Sequence, residues 1–204
     1  MKFDIEDFNR HFVHSLTSDD KSSISEALGD WSKSFNYYSG HYPQDILQGD
    51  ALSGVAIRHY DTGAIKEIKA VVLSNSCSIA PENKRDRPAS VVVAPIVKVE
   101  EFRKLLLSSG AADVVERKVA ACILQEVHNI FYLPKGGSLQ DDHFVFFDRV
   151  HSIPLSKIVG AEGLIVPKLA SLSQAAFYLL TFKISVFYCR LQENVDRDNT
   201  IPYS

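Results

Sequence analysis

The spacing of hydrophobic residues changes along this chain and divides it into a helical prelude, a β-rich middle and a helical end. Over FDIEDFNRHFVHSL, Phe8, Phe12 and Leu16 recur every four residues behind Asp4, Glu6 and Asp7, the pattern of an amphipathic helix with an acidic first turn. Ser23 precedes Glu26 in a capping-box arrangement, and Ile24, Leu28, Trp31 and Phe35 then share one face of a second predicted helix. The NYYSGHYP stretch breaks that helix, and from Leu47 the spacing becomes strand-like. Leu52–Tyr60, Ala64–Ser74 and Ser90–Val97 are predicted strands, the first two joined through a turn at Asp61-Thr62-Gly63. Val99–Leu107 and Asp113–His128 return to helical spacing, and Ile130–Leu133 and His143–Val150 to strand character around a Gly136-Gly137 turn. Ser171 with Gln174 is predicted to cap a last helix reaching Gln192, before a loose tail, NVDRDNTIPYS.

These elements predict an α+β fold in a single domain. A helical extension spans 1–46, a small and strongly bent antiparallel barrel 47–159 with a helical pair inserted at 98–128, a C-terminal helix 160–193, and a tail 194–204. The densest information lies in Ala70–Val97, where the run AVVLSNSCSI breaks into a polar loop, APENKRDRP, and resumes as ASVVVAPIV. It sets serines, Cys77 and a basic loop beside two buried strands. In the last helix, AAFYLLTFKISVFY is apolar nearly all round, so it must be covered on more than one side. The run is too short for a bilayer, which takes about 20 apolar residues, and Lys183 interrupts it. A core position with partial contact to a second copy is the expectation.

Composition narrows the function classes. The 204 residues are 46% hydrophobic and 23% charged, ordinary for a soluble chain with a sizeable core. A formal charge of −3 gives no global attraction for nucleic acid or anionic lipid. Phosphate contact would have to come from a local patch, for which Lys84, Arg85 and Arg87 are the compact candidates; a mixed run such as ENKRDR also reads as a solvated surface turn. Cys77, Cys122 and Cys189 are odd in number and widely spaced, with no leader pattern ahead of them. That predicts reduced thiols in a cytoplasm, each packed as a small hydrophobe. The histidines are scattered without a Cys-x-x-Cys or His-x-x-x-His pair, so neither zinc nor another cofactor is expected.

A Gly49-Asp50 step opening the first strand, then VVLSNS, then VVVAPIV, then VFFDRVHSIPLSKI resembles the order of motifs in PemK/MazF-like toxins. The resemblance covers about 47–159 and implies an SH3-like barrel and a metal-independent ribonuclease, in which a base activates the ribose 2′-hydroxyl and an arginine offsets phosphorane charge. SNSCS is similar to the Ser-x-Ser-Cys-Asp pattern of an uncharacterised branch of that superfamily, with Ser78 in the acid's place. The family's arginine-proline step before the VLS strand is here Lys69-Ala70, and the threonine after Pro-Ile is here Val97. Lysine offers a point charge without the guanidinium fork, and valine offers no polar group.

Three readings follow. The first is a non-catalytic binding or assembly module derived from a toxin-like barrel, working in a bacterial or phage-related conflict or maintenance system with a protein partner or a second copy of itself. The second is an endoribonuclease in which Arg85, Arg87 and His143 replace the usual groups. The third is a cysteine-dependent hydrolase or transferase with Cys77 as nucleophile and His128 as base. Against it, a cysteine at a strand end is usually a packed hydrophobe and a histidine at a helix end usually caps it through the dipole. Tyr37, Tyr38, His41 and Tyr42 form an aromatic cluster that suits base stacking or packing on the barrel. If Asp148, Arg149 and His151 lie on a strand, only Arg149 and His151 share a side. Gly136-Gly137 precedes no helix and reads as a turn, not a phosphate loop.

Overall fold

The computed structural model describes residues 36–59 and 61–189. The two helices expected before residue 36, and the tail, lie outside the described residues. Within them the order is β1 (Tyr38–Ser39), β2 (Ala51–Arg58), β3 (Ile65–Val72), α1 (Ser76–Ile79), β4 (Ser90–Lys98), α2 (Val99–Leu107), α3 (Ala112–Ile123), β5 (Ile130–Leu133), β6 (His143–Phe146), β7 (His151–Pro154), a 3₁₀ turn (Leu155–Lys157), β8 (Val159–Gly160), β9 (Gly163–Leu164), β10 (Lys168–Leu172) and α4 (Gln174–Tyr188). Among the described residues the fold is α+β, with four helices and a strongly curled antiparallel half-barrel.

The sheet is organised on β4. Its order is β1-β10-β2-β3-β4-β6-β5, and β7 also pairs with β4. The first half of β4 pairs with β7 from Ser90↔Pro154 to Val93↔His151, and its second half with β6 from Ile96↔Val145 to Lys98↔His143. Register shifts between Leu52 and Val55 on β2 and between Lys168 and Ala170 on β10 add twist where the sheet curls.

Because successive strand residues face opposite sides, apolar runs such as VVVA need cover on both faces, and three clusters supply it. Val71, Ala94, Ile96, Phe131, Val145 and Phe147 face α4, which contributes Leu179, Leu180 and Phe182. On the other face, Leu52, Val55, Ala70, Val72, Val91 and Val93 pack with Ile79 of α1 and with Ile158 and Val166. Farther along that face, Val99, Ile130, Phe144 and Phe146 pack with Val115, Val119 and Cys122 of α3. A fully buried leucine, valine or phenylalanine contributes about 1.5–3 kcal/mol, so these layers dominate stability.

Several expectations are corrected. The strand predicted over Ala64–Ser74 ends at Val72, and SNSCSI turns into α1: Asn75 caps it, its Oδ1 accepting from the Cys77 N–H at 2.9 Å. The short polar side chain offers the backbone a turn that competes with continued pairing. His143–Val150 is split, since a turn at 147–150 separates β6 from β7. The alternation applied to Asp148, Arg149 and His151 therefore fails, and Arg149 instead lies over the Phe146 ring at 5.3 Å. The helix expected to reach His128 ends at Ile123, and Gln125 follows with φ +60°. Residues 160–173 are not helical throughout: β10 enters the sheet between β1 and β2, so the sheet extends past 159. The cap of α4 is accordingly Ser173, whose Oγ accepts from the Ala176 N–H at 3.3 Å, and Ser171 is a strand residue. Cys122 is buried, but Cys77 and Cys189 are exposed. Among the described residues no helix is long and apolar enough to cross a membrane.

Lys183, the one charge within the apolar helix, is buried at 2% exposure. Its Nζ donates to the Gln125 carbonyl at 2.9 Å, Gln125 Oε1 at 3.0 Å and the Val127 carbonyl at 2.9 Å. The lysine thus supplies donors to the irregular backbone after α3 and ties α4 to it. Burial pushes its pKa down to about 7, with Cys122 the ionisable neighbour. Lys183→Met keeps the stem but orphans these oxygens, and is expected to lower stability by about 2 kcal/mol near neutrality. Between pH about 7 and the ordinary 10.5 the unfolded chain holds a proton that the folded chain lacks, so wild-type stability rises with pH across that window. Urea denaturation at neutral and alkaline pH checks both signs: the gap to Lys183→Met should widen as pH rises, and a closing gap contradicts the assignment.

Candidate functional site: a neutral polar cavity at the seam of β1, β10 and α4

The chain begins its sheet at a constrained corner. Gly49 has φ +92°, and a Cβ there would lie 2.8 Å from Leu172 Cδ1, so both the conformation and the close approach of β10 call for glycine. Asp50 follows with no exposure, in a run where the apolar residues of β2 would otherwise begin. Its Oδ2 accepts from the Leu47 N–H at 2.8 Å, fixing the turn, and from Lys168 Nζ at 2.8 Å. Lys168 also donates to the carbonyls of Tyr42, at 2.9 Å, and Asp45, and its ammonium stands 3.4 Å from Ser171 Oγ. One ammonium thereby gathers the 42–50 loop onto β10. Burial raises the Asp50 pKa, while Lys168 and Ser171 pull it back toward the charged form.

The clasp forms one wall of a cavity of about 500 Å³. β1 and the following loop supply Tyr38, Ser39, His41 and Tyr42; Gln48 and Ser76 form the floor beside Asp50; Gln174 and Phe177 come from the first turn of α4. Several lining groups are held from behind. The Tyr38 hydroxyl donates to the Pro134 carbonyl, and burial raises its pKa, so the phenol stays neutral. Its ring lies against Gly136, where a Cβ would be 2.5 Å away, which explains half of the Gly136-Gly137 pair. Gln48 Nε2 donates to the Leu73 carbonyl at 2.8 Å, and the Gln48 N–H to Ser76 Oγ at 2.9 Å.

Among the described residues the lining contains rings, amides and hydroxyls but no lysine or arginine, and the one carboxylate among them is ion-paired from behind. Such a cavity does not neutralise phosphate. It is suited to a ligand that is itself neutral and rich in hydrogen-bonding groups, with an apolar portion for Phe177 and Leu172.

The residues singled out from the sequence are not brought together here. Cys77 is exposed on α1, whereas His128 stacks on Phe187 of α4 at 6.2 Å, and no interaction among the described residues joins them. Arg85 turns back onto the carbonyls of Ser78, at 3.0 Å, and Ala80, at 2.6 Å, so it serves the end of α1, while Lys84 and Arg87 are exposed on the loop. His143 is 2% exposed within the β5-β6-β4 pairing, its ring nitrogens without a well-formed hydrogen bond. Burial drives its pKa down and Lys69 adds to that effect, so the ring is held neutral. Ala70 is buried in the sheet and Val97 packs on the α2–α3 cluster, whereas Lys69 is exposed on β3. Tyr37 and Tyr38 pack by their rings, 6.3 Å apart. Among the described residues no group of three or more His, Cys, Asp or Glu side chains could hold a metal ion.

Sequence reasoning noted Asp50 only as half of a Gly-Asp step and passed over Lys168. The signal was present: an acid opening an apolar strand, and a lone cation within LIVPKLASL, each need an opposite partner if buried. No family model matches this chain, and none of the curated proteins matches it.

Asp50→Asn or Lys168→Met alone leaves the other charge buried without its partner and is expected to cost about 3–5 kcal/mol. The double variant should cost clearly less than the sum, with a coupling of about 2 kcal/mol in a urea-denaturation cycle. Additive losses would mean that the two groups act separately.

Proposed function

We propose that this chain is a non-catalytic binding module, and that its ligand is a neutral, hydrogen-bonding segment of a partner protein seated in the cavity between β1, the 42–50 loop and α4. The observation that carries the reading is the chemistry of the lining: three amides, several hydroxyls and aromatic rings around a carboxylate already neutralised by Lys168. Main-chain amides and small polar side chains match such a surface, and the apolar ends of Leu172 and Phe177 favour one hydrophobic residue among them. The curled antiparallel sheet is compatible with an SH3-like barrel of PemK/MazF-like ancestry, and the Gly49-Asp50 step sits where the sheet starts. In that lineage a bacterial or phage-related conflict or maintenance system is the natural setting.

Hydrolytic and ribonucleolytic readings find less support. Among the described residues Cys77 has no base against it, Arg85 is spent on α1, and His143 is enclosed in the sheet.

Two measurements test the proposal together. Peptides selected from a displayed random library should be poor in charge, and should bind wild type at least about tenfold more tightly than Gln174→Trp, which fills the cavity mouth, a difference of about 1.4 kcal/mol. Labelled RNA should remain intact with and without EDTA. Metal-independent cleavage that disappears in Arg87→Ala would overturn the proposal.

A further inference from the structure

His143 opens β6, opposite Lys98 of β4 and Leu133 of β5. By alternation it lies on the side of the sheet that Leu133 and Val145 share with α4. It is enclosed there at 2% exposure, and among the described residues neither ring nitrogen makes a well-formed hydrogen bond. The imidazole has lost its water contacts and gained no bond in exchange, which an apolar side chain at this place would avoid.

The charges around the ring oppose a proton on it. Lys69 of β3 and Lys98 of β4 both act against an imidazolium, while Asp141 favours one but already pairs with Lys98 at 2.6 Å. Asp142 accepts instead from the Lys135 N–H at 2.8 Å, and Lys183 of α4 is committed to the oxygens of Gln125 and Val127. A charged ring in this setting requires water.

Water has a route in the loop 134–142, which runs from β5 and ends at His143. A bridge between Gly136 and Leu139, the Ser138 N–H on the Leu169 carbonyl at 2.8 Å and the Tyr38 hydroxyl on the Pro134 carbonyl hold this loop. The last contact, together with the Tyr38 ring against Gly136, makes the loop the backing of one cavity wall.

We propose that protonation of His143 opens the 134–142 loop and frees Tyr38, a switch that loosens this wall in acid. That the wall belongs to a binding site rests on the reading above; the opening is a property of the loop and is read without a ligand. Burial first, and then Lys69, hold the ring of the closed form below its ordinary 6.5. Below 6.5 the opened chain therefore takes up a proton that the closed chain lacks, and the closed form loses ground as pH falls.

Amide exchange of the full-length protein, followed by NMR at about pH 7 and about pH 5, tests the switch. Protection of Ser138 and Leu139 should fall about tenfold at the lower pH, while Leu73, bonded to the Val92 carbonyl between β3 and β4, keeps its protection. In His143→Phe, which keeps a ring but cannot ionise, the two pH values should give the same protection. If that variant does not fold, the wild-type ring decides: the loop must open at the midpoint at which the His143 imidazole titrates. Unchanged loop protection in wild type overturns the proposal. So does a fall that persists in His143→Phe, a midpoint that departs from that of the ring, or a Leu73 that loses protection with the loop, which would mean global unfolding.

Discussion

The ion pair between Asp50 and Lys168 connects the two ends of this fold. The carboxylate lies at the entrance of β2 and the ammonium at the start of β10, and these strands are neighbours despite their separation in sequence. A buried charge pair is weak as a source of net stability but severe in what it forbids: neither partner tolerates losing the other. Because Lys168 also collects the Tyr42 and Asp45 carbonyls, one ammonium determines the path of the 42–50 loop and hence one wall of the cavity. Gly49 works with it, since a larger residue there would push against Leu172 and separate β10 from the corner.

Lys183 does comparable work between α4 and the backbone after α3. Both lysines lie in apolar surroundings and donate to carbonyl oxygens of irregular backbone, which strands and helices leave without partners. The fold thus uses buried ammonium groups as internal caps. This explains a cation inside a helix that otherwise reads as uniformly apolar, and it leaves the cavity lining almost free of charge. A neutral lining favours recognition by hydrogen bonds and shape over acid–base chemistry, and the proposed binding role follows from that property.

Much of the architecture could be read in advance because periodicity reports burial. VVVAPIV and IFYL are strands where alternate residues enter separate apolar clusters, and VEEFRKLLL is a helix with Val99, Phe102 and Leu106 on the buried side. Failures occurred where local polar chemistry overrides pattern. Asn75 diverts SNSCSI into a helical turn, and the 147–150 turn divides one apolar run into two strands that both pair with β4. KLASL was hidden by its closeness to α4, and no local signal indicated that it would join β2 across more than a hundred residues. The site was legible only as two residues out of place, Asp50 and Lys168, whose pairing is a tertiary fact. Conspicuous residues such as Cys77, His128 and Arg85 drew attention through chemical reputation, and their surroundings assign them no shared task.

Nitrogen-resolved NMR of the lysine side chains tests the clasp most directly, because ammonium protons are seen only when water reaches them slowly. Below pH about 7, where Lys183 too carries its proton, the account predicts a protected Lys168 ammonium resonance, assigned by its loss in Lys168→Met, that is broadened away in Asp50→Asn while the Lys183 resonance persists. A Lys168 ammonium that exchanges as fast as a surface lysine, or that is indifferent to Asp50, would contradict the account.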